Sequence, residues 1–190
     1  MSVETKTLRL FFALWPDEAV RASLSRTIES LKQTTTAKWG RPENLHITLA
    51  FLGQVSEDRL PLINRVADGV IGQPFELGLD RIEFWRRSGI ICLSSVNTPE
   101  ALKNLANSLI ARLAETGFAM ENRPYRAHLT LARKGRSGCI SQVLSDPINW
   151  SVSSFSLIES QIYRAGSLYV VRKSWNLQGL QAIPEGSSVR

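Results

Sequence analysis

Only two histidines occur in the chain, His46 and His128, and both stand in the same setting. Residues 41–50, RPENLHITLA, and residues 123–132, RPYRAHLTLA, share the pattern R-P-x-x-x-H-[IL]-T-L-A at a separation of 82 residues. On an extended chain, residues two apart project from one face. His46 therefore lies beside Thr48, and His128 beside Thr130, while the leucines and isoleucine next to them point into a core. A lone histidine on a half-buried strand is more often structural than catalytic, but repetition with the same neighbours reverses that reading. If the two copies face each other, two groups that titrate near neutrality and two hydroxyl donors surround one site. That set suits a phosphate ester. In-line displacement puts the attacking and departing oxygens on opposite sides of phosphorus. One imidazole can then take a proton from the nucleophile while the other gives one to the leaving oxygen, with the threonine hydroxyls donating to the non-bridging oxygens. No metal is required, and the symmetry of the motifs does not say which histidine plays which part.

The elements that must carry these residues are readable in outline. Leu8 to Trp15 reads as a buried strand, and Pro16-Asp17-Glu18 opens a helix with the apolar stripe Val20, Leu24, Ile28 and Leu31. Leu45 to Leu52 reads as a strand with Leu45, Ile47, Leu49 and Phe51 on one face and His46, Thr48, Ala50 and Leu52 on the other. Gly53 is expected to end it, and Ser56 to cap a helix carrying Leu60, Ile63, Ala67 and Val70. Phe75, Leu77 and Leu79 alternate, and a hairpin joins Ile82–Trp85 to Ile90–Leu93 through Arg86-Arg87-Ser88-Gly89. Thr98-Pro99-Glu100 starts a helix whose stripe is Leu102, Leu105, Leu109 and Leu113, and Gly117 stops it. The second motif occupies a strand from Ala127 to Ala132. Further strands are expected around Trp150 to Leu157 and Leu168 to Leu177, and Pro184 to Arg190 reads as a frayed tail. Each motif strand follows helical sequence, so two duplicated lobes are the economical reading.

Composition bounds the partners. At 190 residues, with 43% hydrophobic and 21% charged residues, the chain is long enough for a proper core and is neither disordered nor fibrous. A formal charge of +6 and a pI near 9.7 favour polyanions, either nucleic acid or phosphorylated small molecules. The two cysteines, Cys92 and Cys139, are too few for a disulfide framework or a four-cysteine zinc site, so a reducing cytoplasm is the expected compartment. Neither has an activating partner in sequence, and both read as inert. The polar start and the interrupted apolar run before Pro16 resemble neither a signal peptide nor a membrane span, and no membrane association is expected. Phe11 and Phe12 read as core. Arg41 and Arg123, before the motif prolines, read equally as functional residues and as rim or structural ion pairs.

The paired H-x-T-x motifs, His46-Ile47-Thr48-Leu49 and His128-Leu129-Thr130-Leu131, together with RLFFAL near the start, RPENLHITLAFLG and RPYRAHLTLAR, resemble the 2H phosphoesterase superfamily. Within it they are similar to the bacterial RNA 2′,3′-cyclic phosphodiesterases, also called the LigT-like or 2′-5′ RNA ligase family. The similarity runs from about Leu8 to about Leu177, with no departure at the four motif positions. The resemblance implies an α+β, bilobal duplicated fold in which two antiparallel β-sheets line a central cleft and helices pack outside. It implies one such domain over residues 1–190, with the tail from about residue 178 peripheral. It also implies hydrolysis of RNA or oligonucleotide 2′,3′-cyclic phosphate ends to 2′-phosphates, with no metal and no cofactor. Carried over by motif, His46 would be the proton donor to the leaving 3′ oxygen and His128 the acceptor from water. Thr48 and Thr130 would hold the phosphate, and Arg133 would contact substrate. A monomer is expected. Two other readings are compatible: a reversible 2′-5′ RNA ligase acting on tRNA halves, and a non-catalytic RNA- or nucleotide-binding module.

Overall fold

A computed structural model describes residues 6–136, 141–163 and 166–178. The expected tail and Cys139 lie outside the described residues. In chain order the elements are β1 (Thr7–Leu14), α1 (Glu18–Lys32), β2 (Lys38–Trp39), β3 (Ile47–Ser56), α2 (Leu60–Asp68), β4 (Phe75–Trp85), β5 (Ile90–Ser94), α3 (Glu100–Glu115), β6 (Leu129–Arg133), β7 (Gln142–Val152), β8 (Ser154–Tyr163) and β9 (Gly166–Asn176). Short 3₁₀ turns at Pro42–Asn44 and Glu57–Arg59 precede β3 and α2.

The strands follow the order β7-β4-β5-β6-β3-β1-β8-β9, with β2 alongside β6, and all the described pairings are antiparallel. The order is a palindrome of two four-strand halves. In one half β1 and β3 flank α1; in the other β5 and β6 flank α3. The halves meet where β3 and β6 touch through one register pair, Ile47 opposite Leu129. The two sheets expected from the duplication are thus joined edge to edge into one nine-stranded sheet.

Local chemistry explains the helices. The Asp17 side chain accepts a hydrogen bond from the backbone N–H of Val20 at 2.8 Å and caps α1, whose Val20, Leu24 and Ile28 are buried as the stripe requires. The stripe of α3 is buried throughout, at Leu102, Leu105, Leu109 and Leu113. Its N-cap is Pro99 rather than Thr98, without a side-chain cap. Gly117, at φ +81°, takes the left-handed turn that follows. Helix α1 packs against β7 and α3 against β3, so each half's helix covers strands of the other, and one core runs across the junction. Among the described residues no helix is long and apolar enough to cross a membrane.

Three expectations need correction. Gly53 does not end β3: at φ +73° it sits inside a strand that runs on to Ser56. The strand expected around Trp150 to Leu157 is two, β7 and β8, turning at Ser153. The start of β7 is too polar to show alternation, and the strand includes Pro147, which its edge position tolerates because among the described residues β7 pairs only with β4.

The third correction concerns the face of Phe51. Two bulges in β3 leave Leu49 and Leu52 unmatched: Phe12 pairs with Ala50 and Ala13 with Thr48, while Leu10 pairs with Gly53 and Phe11 with Phe51. Directly opposed residues share a face. Ala50 therefore joins Phe12 in the core, and Phe51, expected there, emerges beside Phe11 on the face of Thr48, with 40% of its surface exposed.

Candidate active site

The side of the sheet opposite the main core carries a cleft of about 670 Å³. His46, Thr48, His128, Thr130 and Arg133 all line it, so the structure brings together the five residues singled out in sequence. Burial alternates through both motifs. Leu45, Ile47 and Leu49 are buried while His46 and Thr48 keep partial exposure, and Ala127, Leu129 and Leu131 repeat this around His128 and Thr130. Each histidine sits just before the first residue of its strand, β3 or β6.

Both imidazoles are held in the same way. His46 Nδ1 is 2.6 Å from the carbonyl oxygen of Asn44, and His128 Nδ1 is 2.9 Å from that of Arg126. A carbonyl only accepts, so Nδ1 carries the proton in both rings and Nε2 is left as the acceptor of the neutral form. The carriers are braced across the two halves. β2 pairs with β6, Gly40 N–H donates to Leu131 O at 2.8 Å, and the Tyr125 hydroxyl donates to the Thr48 carbonyl at 3.2 Å. Asn44 also donates through Nδ2 to Ser167 O at 2.9 Å, which ties the His46 turn to β9.

The surroundings of the two rings differ. Three aromatic rings surround His46: Phe11 with its centroid at 4.8 Å, Tyr169 edge-on at 5.3 Å and Trp15 stacked at 5.8 Å. Burial there lowers its pKa to about 4, aided by the positive charges of His128, Arg133 and Arg21 and opposed by the bond to Asn44. His128 has Trp85 at 4.7 Å. Its pKa is also lowered, chiefly by burial and then by Arg126 and Arg123, while the bond to the Arg126 carbonyl and the charge of Glu83 pull it back up. Both shifts favour the neutral imidazole.

Arg133 is exposed at the end of β6, with Lys38 opposite it in the ladder. Arg123, paired with Glu121, and Arg126, paired with Glu83, also line the cleft. Cys92 is buried, with its thiol pushed up to about 12 by burial first and by Glu83 second, in keeping with an inert cysteine. Sequence reasoning missed Trp85, Tyr169, Arg9 and Phe51 as lining residues. The first three had no motif to mark them. Phe51 was hidden by its bulge, and the Arg9 guanidinium lies 4.9 Å from its ring centroid. Phe11 is only 3% exposed yet belongs to the cleft wall, in a small cluster separate from the main core.

Comparison with known proteins shows the family. The LigT like Phosphoesterase family model matches the chain twice, over residues 14–92 and 93–169, one match around each copy of the His-Thr motif. The RNA 2′,3′-cyclic phosphodiesterase of Escherichia coli (strain K12) is 35% identical over 178 residues, covering 89% of this chain and 96% of the relative. The RNA 2′,3′-cyclic phosphodiesterase of Archaeoglobus fulgidus is 31% identical over 159 residues, covering 83% and 89%. The crystal structure of E. coli LigT complexed with 3′-AMP superposes with a TM-score of 0.84 at 29% identity, over 92% of this chain and all of that one. With both copies of the motif matched, and each contributing one His-Thr pair to a single cleft, the chain belongs to the LigT-like phosphoesterase family.

Proposed function

We propose that this protein hydrolyses RNA or oligonucleotide ends bearing a 2′,3′-cyclic phosphate, leaving a 2′-phosphate and a free 3′-hydroxyl. The observation that carries the reading is the convergence of His46-Thr48 and His128-Thr130, one pair from each half, on one cleft rimmed by Arg133, Arg123 and Arg126. Relatives named RNA 2′,3′-cyclic phosphodiesterase, and a similar fold crystallised with 3′-AMP, support the substrate class.

In the proposed reaction, Nε2 of His128 takes a proton from a water molecule as its oxygen bonds to phosphorus. The bond from phosphorus to the 3′ oxygen breaks on the far side, and Nε2–H of His46 protonates that oxygen. Thr48, Thr130 and Arg133 donate to the non-bridging oxygens, where charge grows in the transition state. The environments fit this division. An imidazole enclosed by aromatic rings, with a depressed pKa, is a strong acid once protonated, which suits His46, and the bound phosphate anion supplies the field that keeps it protonated. His128, with Glu83 within electrostatic reach, is better able to hold an extra proton. Both halves of the site come from one chain, so a monomer is the working form. The buried unpaired Cys92 fits a reducing cytoplasm.

The test is to incubate the protein, in excess EDTA, with an oligoribonucleotide ending in a 2′,3′-cyclic phosphate and to locate the product's phosphate. A 2′-phosphate supports the reading. A 3′-phosphate reverses the leaving oxygen and overturns the assigned roles, and an untouched substrate overturns the activity. Supplying a 5′-hydroxyl partner end, as in paired tRNA halves, reveals by ligated product whether the reverse direction is also available.

A further inference from the structure

The palindromic sheet gives every position on one side of the cleft a counterpart on the other. In one half Ser156, Ala13 and Thr48 lie opposite one another across β8, β1 and β3. In the other, Glu83, Cys92 and Thr130 lie opposite one another across β4, β5 and β6. Thr48 and Thr130 are the equivalent motif residues, so Glu83 occupies the place that Ser156 holds in the first half. Ser156 is neutral, and its hydroxyl shares a 2.7 Å hydrogen bond with that of Ser174. At this position the duplicated site therefore has a carboxylate on one side alone.

That carboxylate organises the surroundings of His128. Glu83 Oε1 accepts from Ser94 Oγ at 2.6 Å, and Oε2 accepts from Trp85 Nε1 at 2.9 Å and from the Arg126 guanidinium. The Trp85 ring is the aromatic neighbour of His128, and the Arg126 carbonyl fixes its Nδ1. Arg126 also lies over Trp85, 5.0 Å from the ring centroid. The Glu83 side chain is 12% exposed while its arginine partner is 62% exposed, so the carboxylate is the anchored member of the pair. Burial would raise its pKa, but the bonds from Ser94 and Trp85 and the charges of Arg126 and Arg81 prevail and keep it ionised.

We propose that Glu83 is the positioning residue that makes the two histidines inequivalent: it holds Trp85 and Arg126 against His128 and stabilises the imidazolium that forms when His128 takes its proton. The inference rests on the two-histidine reading above and adds a reason why His128 rather than His46 is the acceptor. The other charged or titratable groups in the cleft are Arg123, Arg126 and Arg133 and, across it, His46, which oppose a protonated His128, and Glu121, whose carboxylate is taken up by Arg123. The Cys92 thiol beside Glu83 stays neutral. Glu83 is thus the group whose charge favours a protonated His128.

The experiment follows both imidazoles by NMR titration in the full-length protein without substrate. With two histidines, His46→Gln suffices to assign the resonances. In Glu83→Gln the titration midpoint of His128 falls while that of His46 moves less, and kcat/KM drops about ten-fold, mostly through kcat. Glu83→Asp, which keeps the charge, restores most of both. Glu83→Ser, which copies the opposite half, gives the same answer should the glutamine variant fail to fold. An unmoved His128 midpoint, equal shifts at both rings, or a loss that Glu83→Asp shares in full overturns the proposal. Because the midpoints are read without substrate, the wrong choice of phosphoester would show in the activity assay and leave this result standing.

Discussion

Ile47 and Leu129, the residues immediately after the two histidines, face each other in the register pair that joins β3 to β6. That pairing is why the duplicated motif forms one site. Opposed residues share a face, so with both apolar side chains pointing into the core, the histidines before them and the threonines after them turn together toward the cleft.

Substituting either histidine by alanine should lower kcat/KM by roughly 10²–10⁴-fold, the usual worth of general acid or base catalysis. The double variant should lose far less than the product of the two, because the residues act on one transition state. Steady-state kinetics on a cyclic-phosphate oligonucleotide measure this. Near wild-type rates in both single variants would remove the mechanism.

The pH dependence has a definite sign. The reacting state needs one imidazole protonated and the other neutral, and in the free protein both pKa values lie below 6.5, His46 at about 4. The curve of kcat/KM should therefore be a bell on the acid side of neutrality. That of kcat should lie at higher pH, because the bound phosphate raises both values. A kcat/KM maximum above pH 8 would contradict the electrostatics.

Acid should also weaken the fold through His46. Its folded pKa is depressed, so neutral His46 contributes stability that is fully present above pH 6.5 and is lost as the pH falls toward 4. Urea unfolding of wild type and His46→Gln at pH 7.5 and pH 4.5 checks this. The variant, with no proton to bind there, should lose roughly 2–3 kcal/mol less between the two pH values. Equal losses would place the ring in a wetter site than the aromatic surround indicates.

Phe51 offers an exposed ring with the Arg9 guanidinium beside it, a combination on which a nucleobase stacks. Phe51→Ala should cut kcat/KM by about 5- to 100-fold, the worth of one stacked base, with Phe51→Trp near wild type. A Phe51→Ala enzyme with unaltered kinetics would show that the base lies elsewhere.

Much of this protein was legible in one dimension because its signals are local. The stripe from Val20 to Ile28, the cap at Asp17 and the alternation around His46 and His128 depend on neighbours a few residues away, and the structure repeats them. The duplication also exposed the candidate site, because two histidines in matching decapeptides need no alignment to stand out. What the chain could not reveal alone depends on partners distant in sequence. The bulges that bring Phe51 to the cleft arise only where β3 is laid against β1. The edge junction of the two halves requires β6 to meet β3, and Trp85, Tyr169 and Glu83 become neighbours of the histidines only once β4 and β9 are in place. Sequence symmetry makes the two histidines equal. Burial and the Glu83 carboxylate, which only tertiary packing supplies, make them different.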